Sequence, residues 1–229
     1  MSSKIVQSTN GITLVGGGSV TARDLRMAIG RAPEMVAADG GADRLLRAGL
    51  TPTAVIGDLD SLSAAAGARL SPDRLHRIEE QETTDFDKAL RSIEAPFVLA
   101  LGFAGARMDH GLAVFNTLVR RAGCRAIVIG PQDIAFAAPA EIALRLRSGD
   151  VLSLFPFAAV RGESEGLEWP IDGLDLAPDG RVGTSNRVAA GRVHLRFDRP
   201  GMVVILPRRR LDAAIRALSA PGLPDARGG

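Results

Sequence analysis

With one cysteine, Cys124, the chain cannot close an internal disulfide. That suits a reducing cytoplasm, and a lone thiol of this kind is expected to be buried. Tyrosine is absent and tryptophan occurs once, at Trp169, so any stacking platform for a flat ligand rests on very few rings. His76, His110 and His194 form no metal-ligand spacing and are expected to be structural or solvated. No run reaches the about 18 apolar residues that a membrane-spanning helix needs. Residues 1–10 lack the apolar core and cleavage pattern of a secretory signal. Neither charge sign dominates: 28 basic residues against 26 acidic ones give a net charge of +2, which is no mandate for nucleic acid. The basic run Arg208-Arg209-Arg210 is expected at a solvated strand edge. These absences lead to a soluble cytoplasmic protein with neither a membrane nor a nucleic acid as partner. No internal repeat is visible.

What is present is ample apolar matter, 46% of 229 residues, enough for one large domain or two small ones. From Ile12 to about Ala138, short β-branched runs alternate with segments of helical periodicity, the rhythm of βαβ units and a parallel sheet. Strands are expected at 12–15, 35–38, 54–56, 97–101 and 126–129, and helices at 21–29, 42–48, 86–92 and 111–122. After about Ala140 the pattern changes to short strand-like pieces such as 151–155, 193–197 and 202–206, separated by Gly, Pro and Asp turns. Ala177-Pro178-Asp179-Gly180 is the strongest of those turns. The expected division is an α/β domain over 1–139 and a small antiparallel β-domain over 140–220. A closing helix is expected over 211–218, with a flexible tail over 221–229.

Ligands of open α/β sheets bind outside the carboxyl ends of the strands, so the residues that follow each strand are the informative ones. The third strand runs into Gly57-Asp58-Leu59-Asp60-Ser61. Alternate residues of extended backbone share a face, so Asp58 and Asp60 can aim at one point, where a hard divalent cation would offset their repulsion. A turn capping the strand is the equal alternative. The second strand ends in Asp39-Gly40-Gly41, acid plus bare backbone. The first ends in Gly16-Gly17-Gly18-Ser19, either an anion-binding loop or a plain turn. Thr84 is placed to cap a helix that begins with Asp85, while Asp85 and Lys88, three apart, face the same way as a metal ligand beside a phosphate-binding ammonium. Arg107 can hold a phosphate bidentately, and Asp109 either caps the next helix or orients Arg107. Trp169 is either a core ring or a stacking face, and Thr184-Ser185-Asn186 either a turn or a set of short polar groups reading a ligand edge.

Taken in order, Asp39-Gly40-Gly41-Ala42-Asp43, Gly57-Asp58-Leu59-Asp60-Ser61, Thr84-Asp85-Phe86-Asp87-Lys88, Gly105-Ala106-Arg107-Met108-Asp109-His110, Gly166-Leu167-Glu168-Trp169 and Thr184-Ser185-Asn186 resemble the thiamine pyrophosphokinases over nearly the whole chain. The resemblance implies a Rossmann-like α/β domain followed by an antiparallel β-sandwich. It implies transfer of the diphosphoryl group of ATP to thiamine, giving AMP and thiamine diphosphate, in a homodimer with thiamine at the interface. It gives Mg²⁺ to Asp58, Asp60 and Asp85, one of which accepts the thiamine hydroxyl proton. It gives the phosphates of ATP to Asp39, Gly40, Gly41, Lys88, Arg107 and Asp109, and thiamine to Gln81, Trp169, Ser185 and Asn186. Two positions depart from the family pattern: Leu59 stands where Phe is frequent, and Asp43 where Asn is usual, so the amide's role does not carry over.

Other classes share parts of this pattern. An Asp-x-Asp pair after a strand also serves nucleotide-sugar transferases and metal-dependent phosphatases, the latter with the first aspartate as nucleophile. A sensor of thiamine or nucleotide could keep the pocket without turnover. Phosphoryl-type transfer needs positioning and charge neutralisation more than a nucleophile, which fits an all-carboxylate site with cations nearby.

Overall fold

The structure is a computed structural model and describes residues 4–105 and 107–220; the tail expected over 221–229 lies outside them. By its contacts the chain divides into two compact units, residues 1–117 with 128–130, and 118–127 with 131–229.

The first unit contains β1 (Val6–Gln7), β2 (Ile12–Val15), α1 (Ala22–Ile29), β3 (Glu34–Ala38), α2 (Gly41–Arg47), β4 (Ala54–Gly57), α3 (Ala64–Gly67), β5 (Leu75–Arg77), α4 (Asp85–Ser92), β6 (Ile93–Glu94) and β7 (Val98–Leu101). Strands β7, β2, β3, β4 and β5 lie side by side and parallel. Residues of β2, β3, β4 and β7 are buried almost without interruption, as strands covered by helices on both faces must be. Because the order reverses between β2 and β7, the carboxyl ends of these strands form the rim where such sheets hold ligands. Register keeps those ends level: Val15 pairs with Ala37 and Leu101, and Ala38 with Ile56. Helix α5 (Met108–Arg120) follows, then β8 (Ala126–Ile129) beside β7.

The second unit is antiparallel throughout its strand pairs. Its strands are β9 (Asp133–Ala137), β10 (Glu141–Arg145), β11 (Val151–Pro156), β12 (Val160–Glu165), β13 (Asp175–Leu176), β14 (Gly183–Arg187), β15 (Arg192–Phe197) and β16 (Met202–Pro207). They form two layers, β14-β11-β16-β9 and β10-β15-β12-β13. Strands β10 and β15 alternate buried with exposed residues, so Ile142, Leu144, Val193 and Leu195 supply one inner face. The other comes from Leu152, Leu154 and Val204. This is the expected β-sandwich, closed by α6 (Leu211–Leu218) as the sequence predicts.

The central strands fall within one or two residues of their expected positions. Strand β5 and the one-turn helix α3 were not expected, because neither carries a periodic apolar run. Helix α5 starts at Met108, three residues before the expected Gly111, which brings Asp109 into its first turn. Cys124 is half-buried rather than buried. The arginine run follows the strand end with Arg209 64% exposed, as expected of a solvated edge, but Arg210 is drawn in at 14%, and both bond the buried Asp150.

Candidate active site

Strand β3 ends at Ala38, and Asp39 leaves it in a left-handed conformation, φ 46°. Its amide still bonds the Ile56 carbonyl at 3.1 Å, so the carboxylate is delivered directly beside the end of β4. There Asp58 follows Gly57, and Leu59, at φ 66°, turns the chain so that Asp60 returns toward Asp58. The Asp60 amide lies 3.4 Å from Asp58 Oδ1, and Ser61 Oγ donates to Asp60 Oδ1 at 2.9 Å. The turn is therefore realised, and it serves to converge acids. Carboxylate oxygens of Asp39, Asp58 and Asp60 lie within 4.8 Å of one another.

Helix α4 brings the cation. Thr84 caps it by accepting from the Asp87 amide, the expected cap, and this fixes the first turn so that Asp85 and Lys88 share a face. Lys88 Nζ lies 3.1 Å from Asp58 Oδ2 and 3.2 Å from Asp85 Oδ1, with its side chain 2% exposed. Burial would lower the Lys88 pKa, but the two carboxylates outweigh it and hold the ammonium charged. Asp58 is opposed in the same way: burial pulls it up, and the bonds from Lys88 and the Asp60 amide hold it below the usual range. Asp39 goes the other way. Burial raises its pKa, with the bond from Ser61 opposing and the charge of Asp85 adding to the rise.

Helix α2 fastens the loops around these acids. Gly41 packs against the end of β2 so closely that a Cβ would sit 1.9 Å from the Val15 carbonyl oxygen, which excludes any larger residue there. From the same turn, Asp43 accepts from the Ser63 amide at 3.1 Å and from the Ser63 hydroxyl, securing the segment that follows Asp60. Its neighbour Arg44 donates to the Gly17 carbonyl at 3.1 and 3.3 Å. The amides of Gly16 and Gly18 are occupied by Leu101 and Gly102 carbonyls, at 2.8 and 3.0 Å, which favours the turn reading for both.

Arg107 and Asp109 meet as expected, Nε to Oδ1 at 3.1 Å and an NH2 nitrogen to Oδ2 at 2.6 Å. The guanidinium bonds lower the Asp109 carboxyl to about 2. Both oxygens bond the arginine, which favours orientation, while the His110 backbone also bonds the carboxylate at the helix start. Gln81 is exposed in the loop before α4.

In the second unit Trp169 is 53% exposed, so it is not a core ring. The buried Asn186 donates to the Trp169 carbonyl at 2.6 Å and accepts from the Trp169 and Arg187 amides at 3.3 and 2.7 Å. Its amide therefore presents the tryptophan. The guanidinium of Arg187 lies 5.9 Å from the ring centroid, at the outer range of a cation–π contact. Ser185 is exposed at φ 61°, with its amide bonded to Ser153 Oγ at 2.9 Å.

Sequence reasoning missed the bracing by Asp43 and Arg44, the position of Arg187, and the membership of Asp39 in the carboxylate group. For Asp39 alone there was a signal, an acid at a strand end followed by two glycines.

An acid-rimmed α/β domain in one chain with a β-sandwich describes a two-domain enzyme architecture. Residues 25–128 match the family model described as thiamin pyrophosphokinase, catalytic domain. Residues 140–202 match thiamin pyrophosphokinase, vitamin B1 binding domain. The chain is similar to Thiamine pyrophosphokinase 1 of Oryza sativa subsp. japonica, 26% identical over 202 residues that cover 73% of this chain and 76% of that one. Among solved structures, thiamin pyrophosphokinase from Candida albicans superposes with a TM-score of 0.72 at 17% identity, covering 90% of this chain and 92% of that one. That from Geobacillus thermodenitrificans gives 0.70 at 23% identity, covering 86% and 96%. The chain belongs to the thiamine pyrophosphokinase family.

Proposed function

We propose that this protein is a thiamine diphosphokinase, which transfers the diphosphoryl group of ATP to the hydroxyl of thiamine and releases AMP and thiamine diphosphate. The observation that carries the reading is the convergence of Asp58 and Asp60 with Asp39 at adjoining strand ends, beside a buried lysine that also bonds Asp85. Membership of the family, matched in both halves of the chain, supplies the substrates.

The donor set suits Mg²⁺: it is all carboxylate oxygen, and one buried oxygen, Asp39 Oδ1, has no partner. Asp58, Asp60 and Asp85 would hold the ion, which when bound would neutralise phosphate charge and align the transferred group. Lys88, charged and fixed between Asp58 and Asp85, opposes the negative charge gathered at this rim. Arg107, oriented by Asp109, offers a fork suited to a phosphate, and Gly40 and Gly41 would offer bare backbone to the phosphates of ATP. One of Asp58, Asp60 and Asp85 accepts the proton of the thiamine hydroxyl. Trp169, held open by Asn186, stacks on a ring of thiamine, with Ser185 and Gln81 as polar contacts.

The protein works as a homodimer in the cytoplasm, with thiamine at the interface between copies. In support, Met108 and Leu112 lie one turn apart on α5, 90% and 65% exposed, an apolar pair suited to cover by a second chain. No helix among the described residues is long and apolar enough to cross a membrane.

The test is AMP formation from ATP and Mg²⁺ with and without thiamine, in wild type and Asp85→Ala. Thiamine-dependent AMP that is lost in the variant is expected. Thiamine-independent AMP, a phospho-aspartyl adduct trapped at Asp58, or full activity in the variant would refute the reading.

A further inference from the structure

We infer that Arg187 is a positioning residue for thiamine: with its guanidinium held by Glu168, it braces the ring of Trp169, so that the ring meets the substrate already oriented. The inference deepens the reading above and rests on it in taking Trp169 as the face on which thiamine stacks.

The backbone of Trp169 is firmly held, but by bonds that leave its ring free to turn. Asn186 bonds both the amide and the carbonyl of Trp169, at 3.3 and 2.6 Å. Beside it the Glu168 amide donates to the Arg187 carbonyl at 2.8 Å. The bridge between Leu167 and Val188, 6% and 1% exposed, seats both segments on the core. None of these bonds restrains the side-chain torsions of Trp169, and a residue 53% exposed has little packing to select one rotamer. Exposed side chains exchange rotamers within nanoseconds, and ordering such a ring on binding costs affinity. Arg187 supplies the restraint. It follows Asn186 on β14, pairs with Val151 of β11, and places its guanidinium carbon 5.9 Å from the ring centroid. The two consecutive residues thus hold the tryptophan twice, Asn186 by its backbone and Arg187 by its ring.

Glu168 completes the arrangement. Its Oε2 lies 3.5 Å from the Arg187 guanidinium, with the two side chains 43% and 54% exposed. An ion pair so exposed contributes little to stability, so its effect lies in where it holds the guanidinium. It also fixes the sign of the outcome. Thiamine carries a permanent positive charge, which a lone arginine beside the ring would repel. The carboxylate next to the guanidinium offsets that charge and leaves the bracing contact in force. A planar guanidinium suits this task better than an ammonium, because it can lie against an aromatic face.

Trp169 is the only tryptophan, so its fluorescence reports this ring alone. The test is time-resolved anisotropy of wild type, Arg187→Gln and Arg187→Lys without ligand, followed by quenching titrations with thiamine. Arg187→Gln loses the charge and the reach of the guanidinium. It is expected to enlarge the fast, nanosecond part of the decay and to melt with wild type. Its affinity for thiamine should fall about two- to fivefold, the size of an exposed cation–π contact. Arg187→Lys is expected to fall between the two. In turnover the KM for thiamine should rise by the same factor, with kcat and the KM for ATP unchanged. In a Trp169→Ala background Arg187→Gln should move that KM no further, because the arginine acts through the ring. An unchanged decay or an unchanged thiamine affinity in Arg187→Gln would overturn the inference. So would a full effect in the Trp169→Ala background, which would make Arg187 a direct contact of the substrate, or a lower melting temperature with both KM values raised, which would make its role structural. Should Arg187→Gln not fold, the same comparison of wild type with Arg187→Lys decides. Motion of the ring is read without thiamine or turnover. Absence of thiamine-dependent AMP in wild type would therefore strike the diphosphokinase reading, whereas an unchanged decay strikes this inference alone.

Discussion

Two deeply buried aspartates, Asp150 and Asp39, one from each unit of the molecule, are treated in opposite ways. Asp150, 3% exposed in the β-sandwich unit, receives the Arg147 amide at 2.9 Å, Arg209 at 2.9 Å and both a 2.5 and a 3.0 Å bond from Arg210. Asp39, 4% exposed in the α/β unit, receives one amide and leaves an oxygen unpaired. Burial pushes both acids up, but for Asp150 the bonds from Arg210, the Arg147 amide and Arg209 outweigh it and the pKa falls. For Asp39 burial prevails and the pKa rises. A fully satisfied buried acid is part of the architecture, whereas one left short of donors marks a place kept for something the chain does not itself supply.

The comparison is broken most severely by Asp150→Ala. It strands Arg210, whose side chain is 14% exposed, and should cost about 3–5 kcal/mol in urea unfolding, the usual penalty for removing one partner of a buried pair. The sign with pH follows from the lowered pKa. The stability that ionised Asp150 contributes is present above the usual aspartate value of 3.8 and is lost as pH falls through the lower folded value. The gap between wild type and variant should therefore be constant near neutrality and close only well into acid.

Lys88→Met removes the cation from between Asp58 and Asp85, both partly exposed, and should destabilise the metal-free protein by about 3 kcal/mol. Mg²⁺ should recover part of that loss and raise the variant's melting temperature more than the wild type's. An equal shift in both would mean that Lys88 and the ion do not offset the same charge.

In the β-sandwich unit, Trp169→Ala should raise the KM for thiamine about tenfold, corresponding to 1–2 kcal/mol of stacking, and leave the KM for ATP unchanged. Because Trp169 is the only tryptophan, thiamine should also quench the fluorescence of the wild type, and absence of quenching at saturation would remove the ring from the site. The smallest effect belongs to Asp43→Ala. It frees Ser63 and should lower kcat severalfold, about 1 kcal/mol for the lost hydrogen bonds, with Asp43→Asn restoring most of it.

The same contrast explains what could be read in the sequence. Strands β2, β3, β4 and β7 were legible because buried parallel strands are apolar nearly throughout, β8 because it is an unbroken buried apolar run, and Asp58, Asp60, Asp85 and Lys88 because i, i+2 and i, i+3 spacings fix direction locally. The state of Asp39 was not, since its burial and its missing donor depend on β4 lying beside β3. Nor was the use of Asn186, whose partner Trp169 is 17 residues away beside the isolated bridge between Leu167 and Val188. Asp150 carries no local signal of its role, because the arginines that close on it, Arg209 and Arg210, lie about sixty positions later. Local spacing finds the acids, and only tertiary structure says which are satisfied.

The measurement that tests the account most directly is ³¹P NMR of the protein with ATP, Mg²⁺ and thiamine. The account predicts AMP and thiamine diphosphate appearing in equal amounts, and none of either when thiamine or Mg²⁺ is left out. ADP or inorganic phosphate as the principal product, or AMP formed without thiamine, would contradict it.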